Sequence, residues 1–366
     1  MKIVRLIFIF LLIPFVNVFC QIAVPVVIHK LPDSLSECSG VEASNPDNIW
    51  AHNDSGDKAR IFNIDTLGNI HRILYFSGVN AIDCEDITQD DQGNYYIGDF
   101  GNNYNNRTDL QIYKISNPDS INNDSVIPQI IYFSFSDQLY FPPDSSNWNF
   151  DCEAMFHFND SLYIFSKNRG VSTYSKMYRL PDVQGNYIAE LVDSFDTQQW
   201  ITSADISPSG KSMVLLSEKM IWLFTNYSGT DFFNGDVMKI SMSYTQKEGI
   251  VFINDSSVYI TDEKYMGLGA NLCFLELLPW INDIAEVNVS NNNINIFPNP
   301  SDGKVTITFP ENTSEIQIIN ESGQVIQSKN ISKQNNLNFY IPGCGTYFIR
   351  VISDKSVITK KIISRY

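Results

Sequence analysis

Short apolar runs separated by clusters of Asn, Asp, Ser and Gly fill the chain from residue 37 to residue 277, and they recur in a fixed order. Each unit opens on a related pentapeptide: ECSGV (37–41), DCEDI (83–87), DCEAM (151–155), TSADI (202–206) and QKEGI (246–250). Stacked without gaps, these put Cys38, Cys84, Cys152, Ser203 and Lys247 in one column and Ser39, Glu85, Glu153, Ala204 and Glu248 in the next. A turn cluster follows (NPDN, DDQGN, FNDS, SPSGK, INDSS), then a second apolar run (IWAHND, YYIGDF, LYIFSK, VLLSEK, VYITDE). A third run closes the unit: RIFNID, LQIYKI, KMYRLP, MIWLFT, NLCFLEL. Strand, tight turn, strand, loop, strand is the pattern of antiparallel sheet. The units start 46, 68, 51 and 44 residues apart, and periods near 40–50 with several strands each predict a β-propeller.

A fourth strand per unit comes from the connecting segments IHRILYFSG, QIIYFSFSD, YIAELVDSF and DVMKISMSY. Unit five has none, because LELLPW runs into a polar stretch. Its missing strand is supplied by IAVPVVIHK (22–30) at the other end of the chain. The fold expected is all-β: a five-bladed β-propeller closed by an N-terminal strand, which leaves no open sheet edge. A sixth blade would have to come from residues 116–148, which are too few. Beyond it, residues 294–366 show short alternating runs with turns at NPSDG and ESG, predicting a small immunoglobulin-like β-sandwich. The domains expected are a signal peptide (1–20), the propeller (21–278), a linker (279–293) and the sandwich (294–366).

The two ends carry the address. Lys2 and Arg5 precede the apolar run Leu6–Ile13, a charged region followed by a stretch too short to span a bilayer. Cleavage is expected before Gln21; Cys20 follows a poor lipobox, with Asn17 and Phe19 ahead of it. No later stretch is apolar enough for a membrane helix. The net charge of −16 is concentrated between these ends, since residues 291–366 hold eight Lys/Arg against five Asp/Glu. So acidic a body excludes attraction to nucleic acid and anionic lipid, and favours cations. Cysteines 38, 84, 152, 273 and 344 form no C-x-x-C pair and histidine is scarce, which argues against zinc. One disulfide is compatible with export, though spacing assigns none.

In a propeller the first strands start, and the second strands end, at one face of the disc. Residues two apart on a strand share a face, so Asp83 and Glu85 point alike, as do Asp151 and Glu153, while Cys84 and Cys152 turn toward packing. The mouth so formed collects carboxylates and amines. The set Asp83, Glu85, Asp99, Asp151 and Glu153 has the oxygen chemistry of a calcium site. His52, Asp54, Lys167, Glu218, Asp262 and Glu263 are expected to line a ligand site beside it. The same acids can instead lock neighbouring blades together by accepting hydrogen bonds, or act as an acid–base pair. SPSGK (207–211) is read as a hairpin turn, not as a serine nucleophile. The function expected is a ligand- or partner-binding module; its rival is a calcium-dependent hydrolase of phosphoesters or esters.

WAHNDSGD, DCEDI, YYIGDFGNN, NFDCEAMF and LYIFSK resemble secreted bacterial propellers loosely grouped with phytase-like and esterase-like propellers. The resemblance implies a propeller over residues 31–277 and brings no firm activity; five blades depart from the six of propeller phytases. FPNPSDG, INESGQV, PGCGTYFIRV and the terminal KKII resemble the type A C-terminal sorting domain of the type IX secretion system of Bacteroidetes, with Cys344 as a departure. That resemblance implies handling by the type IX machinery, passage through the outer membrane, and release or attachment at the cell surface, where the ligand is an unknown extracellular one.

Overall fold

The computed structural model describes residues 22–284, 294–309, 313–320, 325–332, 334–353 and 356–365. The expected leader, Cys20 and residues 285–293 of the expected linker lie outside them. The chain divides into two compact units, at Ile284 and Ala285.

The first unit is built almost wholly of antiparallel strands, in the order the apolar runs predict. Its five opening strands are Cys38–Asn45, Cys84–Gln89, Cys152–His157, Ser203–Ile206 and Lys247–Asn254. Each pairs with a second strand, that with a third, and that with a fourth; turns of two to five residues join the first strand of each unit to the second. Gly93 and Gly210 take positive φ at two of these turns, and Asn159 and Asp160 do so together at a third. All four are turn formers that tolerate the left-handed region. Gly210 lies in SPSGK, which is a hairpin turn.

Strand Cys38–Asn45 packs beside both Cys84–Gln89 and Lys247–Asn254; Cys152–His157 packs beside Cys84–Gln89 and Ser203–Ile206; Ser203–Ile206 packs beside Lys247–Asn254. The circuit returns to its start. Between neighbouring four-strand units lie apolar clusters such as Ile112, Phe133, Phe135, Cys152 and Ile164, or Phe156, Phe165, Met213 and Trp222. The second strands read as continuous apolar runs because both faces are covered.

The N-terminal segment departs from the single strand expected. Pro25, which has no N–H to donate, divides it into Ile22–Ala23 and Val26–Lys30. The second piece pairs antiparallel with Asn271–Glu276 and completes the sheet of unit five. The first piece pairs in parallel with the fourth strand of unit four, Asp236–Met242. The segment thus joins two sheets. A second joint was not legible in the sequence: the fourth strands of units two and three, Gln129–Phe135 and Gly185–Asp196, pair in parallel and merge two sheets into one of eight strands. The stretch read as the start of a linker begins as a helix, Leu278–Ile284, with Trp280 and Ile281 packed on the apolar cluster around Leu275.

The second unit has seven strands among the described residues. Asn295–Phe297, Lys304–Thr308 and Asn336–Tyr340 form one sheet; Thr313–Asn320, Val325–Asn330, Gly345–Ser353 and Ser356–Ser364 form the other. Val305, Ile307, Ile316, Ile318, Phe339 and Ile349 fill the core between them.

Candidate functional site

Four of the five opening strands carry the same irregularity. The register slips by one residue between Cys38 and Gly40, Cys84 and Asp86, Cys152 and Ala154, and Lys247 and Gly249. In each case the extra residue is the polar member of the repeat column: Ser39, Glu85, Glu153 or Glu248. Unit four, where the column holds Ala204, pairs regularly. A bulge re-aims the side chain of its unpaired residue, and here it brings three glutamates together. Lys167 feels all three: burial would lower its pKa, and the carboxylates of Glu153, Glu248 and Glu85 hold it up. Its Nζ lies 2.8 Å from Glu153 Oε2.

The two motifs DFGNN and DCE interlock around this point. Asp99 is fully buried and accepts from the backbone N–H groups of Ile82 (3.2 Å) and Asp83 (3.0 Å), from Arg107 Nη2 (3.0 Å), Gln111 Nε2 (3.0 Å) and the Tyr113 hydroxyl (2.8 Å). It therefore holds the loop in front of Asp83. Asn102 reaches the next unit, donating its backbone N–H to Asp151 Oδ1 (2.6 Å) and its side-chain amide to the Phe150 carbonyl (3.0 Å). Between them Gly101 has no room for a side chain: a Cβ would lie 2.2 Å from Glu85 Oε1 and 2.4 Å from Asp83 Oδ2.

The predicted residues separate into two groups. Asp99, Asp151 and Glu153 are engaged by cations of the chain. Arg169 bonds Asp151 through Nε and Glu153 through Nη2 (3.1 Å), and stacks 5.3 Å from the Trp200 ring. Asp54, Asp83 and Glu85 form the other group, with one carboxylate oxygen of each within 4.8 Å of the others. Among the described residues no ion pair within 4 Å reaches any of the three. Burial, then the charges of Asp54 and Glu153, push Asp83 up to about 7. Burial likewise raises Asp54, whose carboxyl shares a hydrogen bond with that of Asp83. Glu85 is driven well above the carboxylate range by burial and by Glu153, Asp54 and Asp83.

The remaining predicted residues lie apart in role. His52 does not open to the mouth: it is 2% exposed inside the strand Asn48–Asn53, with Nδ1 2.9 Å from the Asn53 carbonyl and its ring where a Cβ on Gly40 would be. Burial lowers its pKa. Asp262 is buried and accepts the Asn271 backbone N–H at 2.7 Å. Glu263, pushed up to about 7 by burial and then by Asp54 and Glu37, accepts from Gln246 Nε2 (3.2 Å). Glu218 accepts Lys247 Nζ on its carbonyl at 3.0 Å. The cysteines at 38, 84, 152 and 273 are buried and unpaired among the described residues, and Cys344 is exposed. Burial pushes the Cys38 and Cys273 thiols up to about 12, the state of inert packing groups.

Sequence reasoning missed Arg107, Arg169 and Asp86. Both arginines sit in irregular loops, although the spacing of Lys167 and Arg169, two apart after a strand, was a usable signal. Asp86 and Asp205 share the next column of the repeat and tie neighbouring opening strands together, the locking role expected of the acids before them. Asp86 accepts Met155 N (2.8 Å) and the Ser203 hydroxyl (3.2 Å), and Asp205 accepts Phe252 N (2.6 Å).

Residues 295–365 match the family described as the secretion system C-terminal sorting domain. They are a type IX sorting domain, and the chain is exported to the cell surface or secreted. No helix among the described residues is long and apolar enough to cross a membrane. No curated protein matches the chain. Among solved structures it is similar to PorZ, a surface component of the type-IX secretion system of Porphyromonas gingivalis (12% identity, 89% of this chain and 51% of that one, TM-score 0.34). It is also similar to Kluyveromyces lactis Hsv2 (14%, 81% and 74%, 0.30) and to the WD40 repeats of RRP9 (10%, 66% and 67%, 0.34). The chain spans about half the length of the PorZ structure, and at such TM-scores these likenesses carry no weight below.

Proposed function

We propose that the first unit is a five-bladed β-propeller closed by its N-terminal strand, and that it serves outside the cell as a binding module whose mouth takes a calcium ion. The observation that carries this reading is the trio Asp54, Asp83 and Glu85. Three carboxylates converge within 4.8 Å without a basic partner in direct contact among the described residues, and their mutual repulsion calls for a proton or a cation. Calcium takes six to eight oxygens at flexible geometry; these three residues would supply the carboxylate share. Asp99, Asp151 and Glu153 then act as supports, since their charge is already offset by Arg107, Arg169 and Lys167.

Binding to the folded chain alone stabilises it by about 2.7 kcal/mol at a hundredfold excess over Kd. Millimolar calcium is expected to raise the melting temperature, EDTA to lower it, and the double change Asp54→Asn, Asp83→Asn to abolish the response. A melting curve indifferent to both reagents would end the calcium reading. The hydrolase alternative needs the same ion with an open coordination position, so it falls with that result; if calcium binds, assays on phosphoesters and esters decide it.

A further inference from the structure

The opening strands end, some six residues from the trio, at a second polar region. There the turns DDQGN, FNDS and SPSGK surround a cavity of about 600 Å³. Its walls include Glu42, Gln89, Asp90, His157, Asp205 and Phe252. No lysine or arginine lines it. Asp90 is spent on its own turn, accepting Gln92 N (2.9 Å) and Asn94 N (2.8 Å). His157 Nε2 lies 3.1 Å from Asp182 Oδ2 and its ring stacks on Tyr96.

Glu42 and Asp205 remain, 4% and 9% exposed, and among the described residues no ion pair within 4 Å reaches either. Ala43 N (2.7 Å) and Gln89 Nε2 (3.1 Å) both bond Oε1 of Glu42, and Phe252 N bonds Oδ2 of Asp205. A further backbone N–H reaches each carboxyl, Gln89 for Glu42 and Ile206 for Asp205, and the lone pairs that remain of the roughly four on each carboxylate are left for a ligand. Burial and then the Asp205 charge raise Glu42 well above the carboxylate range, and burial pushes Asp205 up to about 7. A bare ion would leave most of such a cavity unfilled, whereas its volume falls in the range that encloses small organic molecules.

We propose that this cavity is a second binding site for a small organic molecule bearing a protonated primary amine, its ammonium directed to Glu42 and Asp205 and its body toward Phe158 and Phe252. An ammonium has three donors and no acceptor. Two carboxylate oxygens and the Thr88 hydroxyl oxygen or the Gln89 side-chain carbonyl oxygen at the wall would accept all three.

Calorimetric titration of the full chain at pH 7.5 in EDTA tests it, with 1,5-diaminopentane and glucosamine as probes and 1,5-pentanediol and glucose as neutral counterparts. Saturable binding of at least one amine is expected, with neither neutral compound binding. The change Glu42→Gln, Asp205→Asn should weaken it at least tenfold. Ser209→Trp, on the exposed turn at the rim, should block it while touching neither carboxyl, and it decides the matter should the double variant fail to fold. Glu85→Gln, in the other site, should leave it unchanged. The proposal is overturned if neither amine binds, if a neutral counterpart binds equally, if binding survives Ser209→Trp, or if it is lost in Glu85→Gln.

Discussion

Gly101 shows how closely the two repeated motifs depend on one residue without a side chain. A Cβ there would press on Glu85 and Asp83 from within 2.4 Å, and the neighbouring backbone is fixed by Asp99 and Asn102. Gly101→Ala should therefore separate the carboxylates. The expected result is a loss of calcium stabilisation with a smaller loss of stability in EDTA, read from paired melting curves. Asp99→Asn is a different case. It leaves Arg107 without its buried partner, and breaking such a pair costs about 3–5 kcal/mol, which chemical denaturation would measure with or without calcium. The raised carboxyls give a third expectation. Asp83 and Asp151 are held at about 7 in the folded chain, chiefly by burial, against an ordinary value of 3.8. Between those values the folded chain keeps protons that the unfolded chain has released, so stability falls as pH rises through that window. In EDTA the melting temperature should drop from pH 5 to pH 8, Asp83→Asn should flatten the drop, and calcium should replace the missing protons.

At the scale of strands, alternation and turn chemistry made the sheets legible almost run by run: RIFNID contains Arg60–Ile64, and VYITDE covers most of Ser257–Asp262. The bulges were not legible, because an unpaired residue leaves no gap in the sequence; only the recurrence of Glu85, Glu153 and Glu248 beside the regular Ala204 marks them afterwards. His52 was expected to line the open mouth and is buried instead. Its strand is buried on both faces, so the polar end of IWAHND read as accessible although four residues of the strand are buried. The arginines were missed because loops carry no period. Here too belongs the N-terminal segment. Removing residues 22–30 strips one edge from the sheet ending at Asn271–Glu276 and another from the sheet ending at Asp236–Met242. A loss of several kcal/mol is expected from the exposed apolar surface, seen as a lower melting temperature; an unchanged one would refute the closure.

The whole molecule pairs an acidic body with a basic address domain, and the two compact units divide at Ile284. Each has its own core: Val305, Ile307 and Ile349 belong to a cluster within the second, and none of the clusters of the first includes them. Removing residues 291–366 should leave the melting transition of the first unit in place while stopping delivery beyond the outer membrane. Cell fractionation checks the second outcome and calorimetry the first.

Val26–Lys30 and Asn271–Glu276 lie side by side in one sheet yet are separated by roughly 240 residues of chain, and contacts so distant in sequence are the last to form. Val26–Lys30 must wait, without this partner, until Asn271–Glu276 has been made. The chain is one that is exported, and a late closure keeps it open for longer. That sheet cannot be completed on a shorter chain, so its early folding is held off by connectivity itself, and the latch is handed over only when Asn271–Glu276 has arrived.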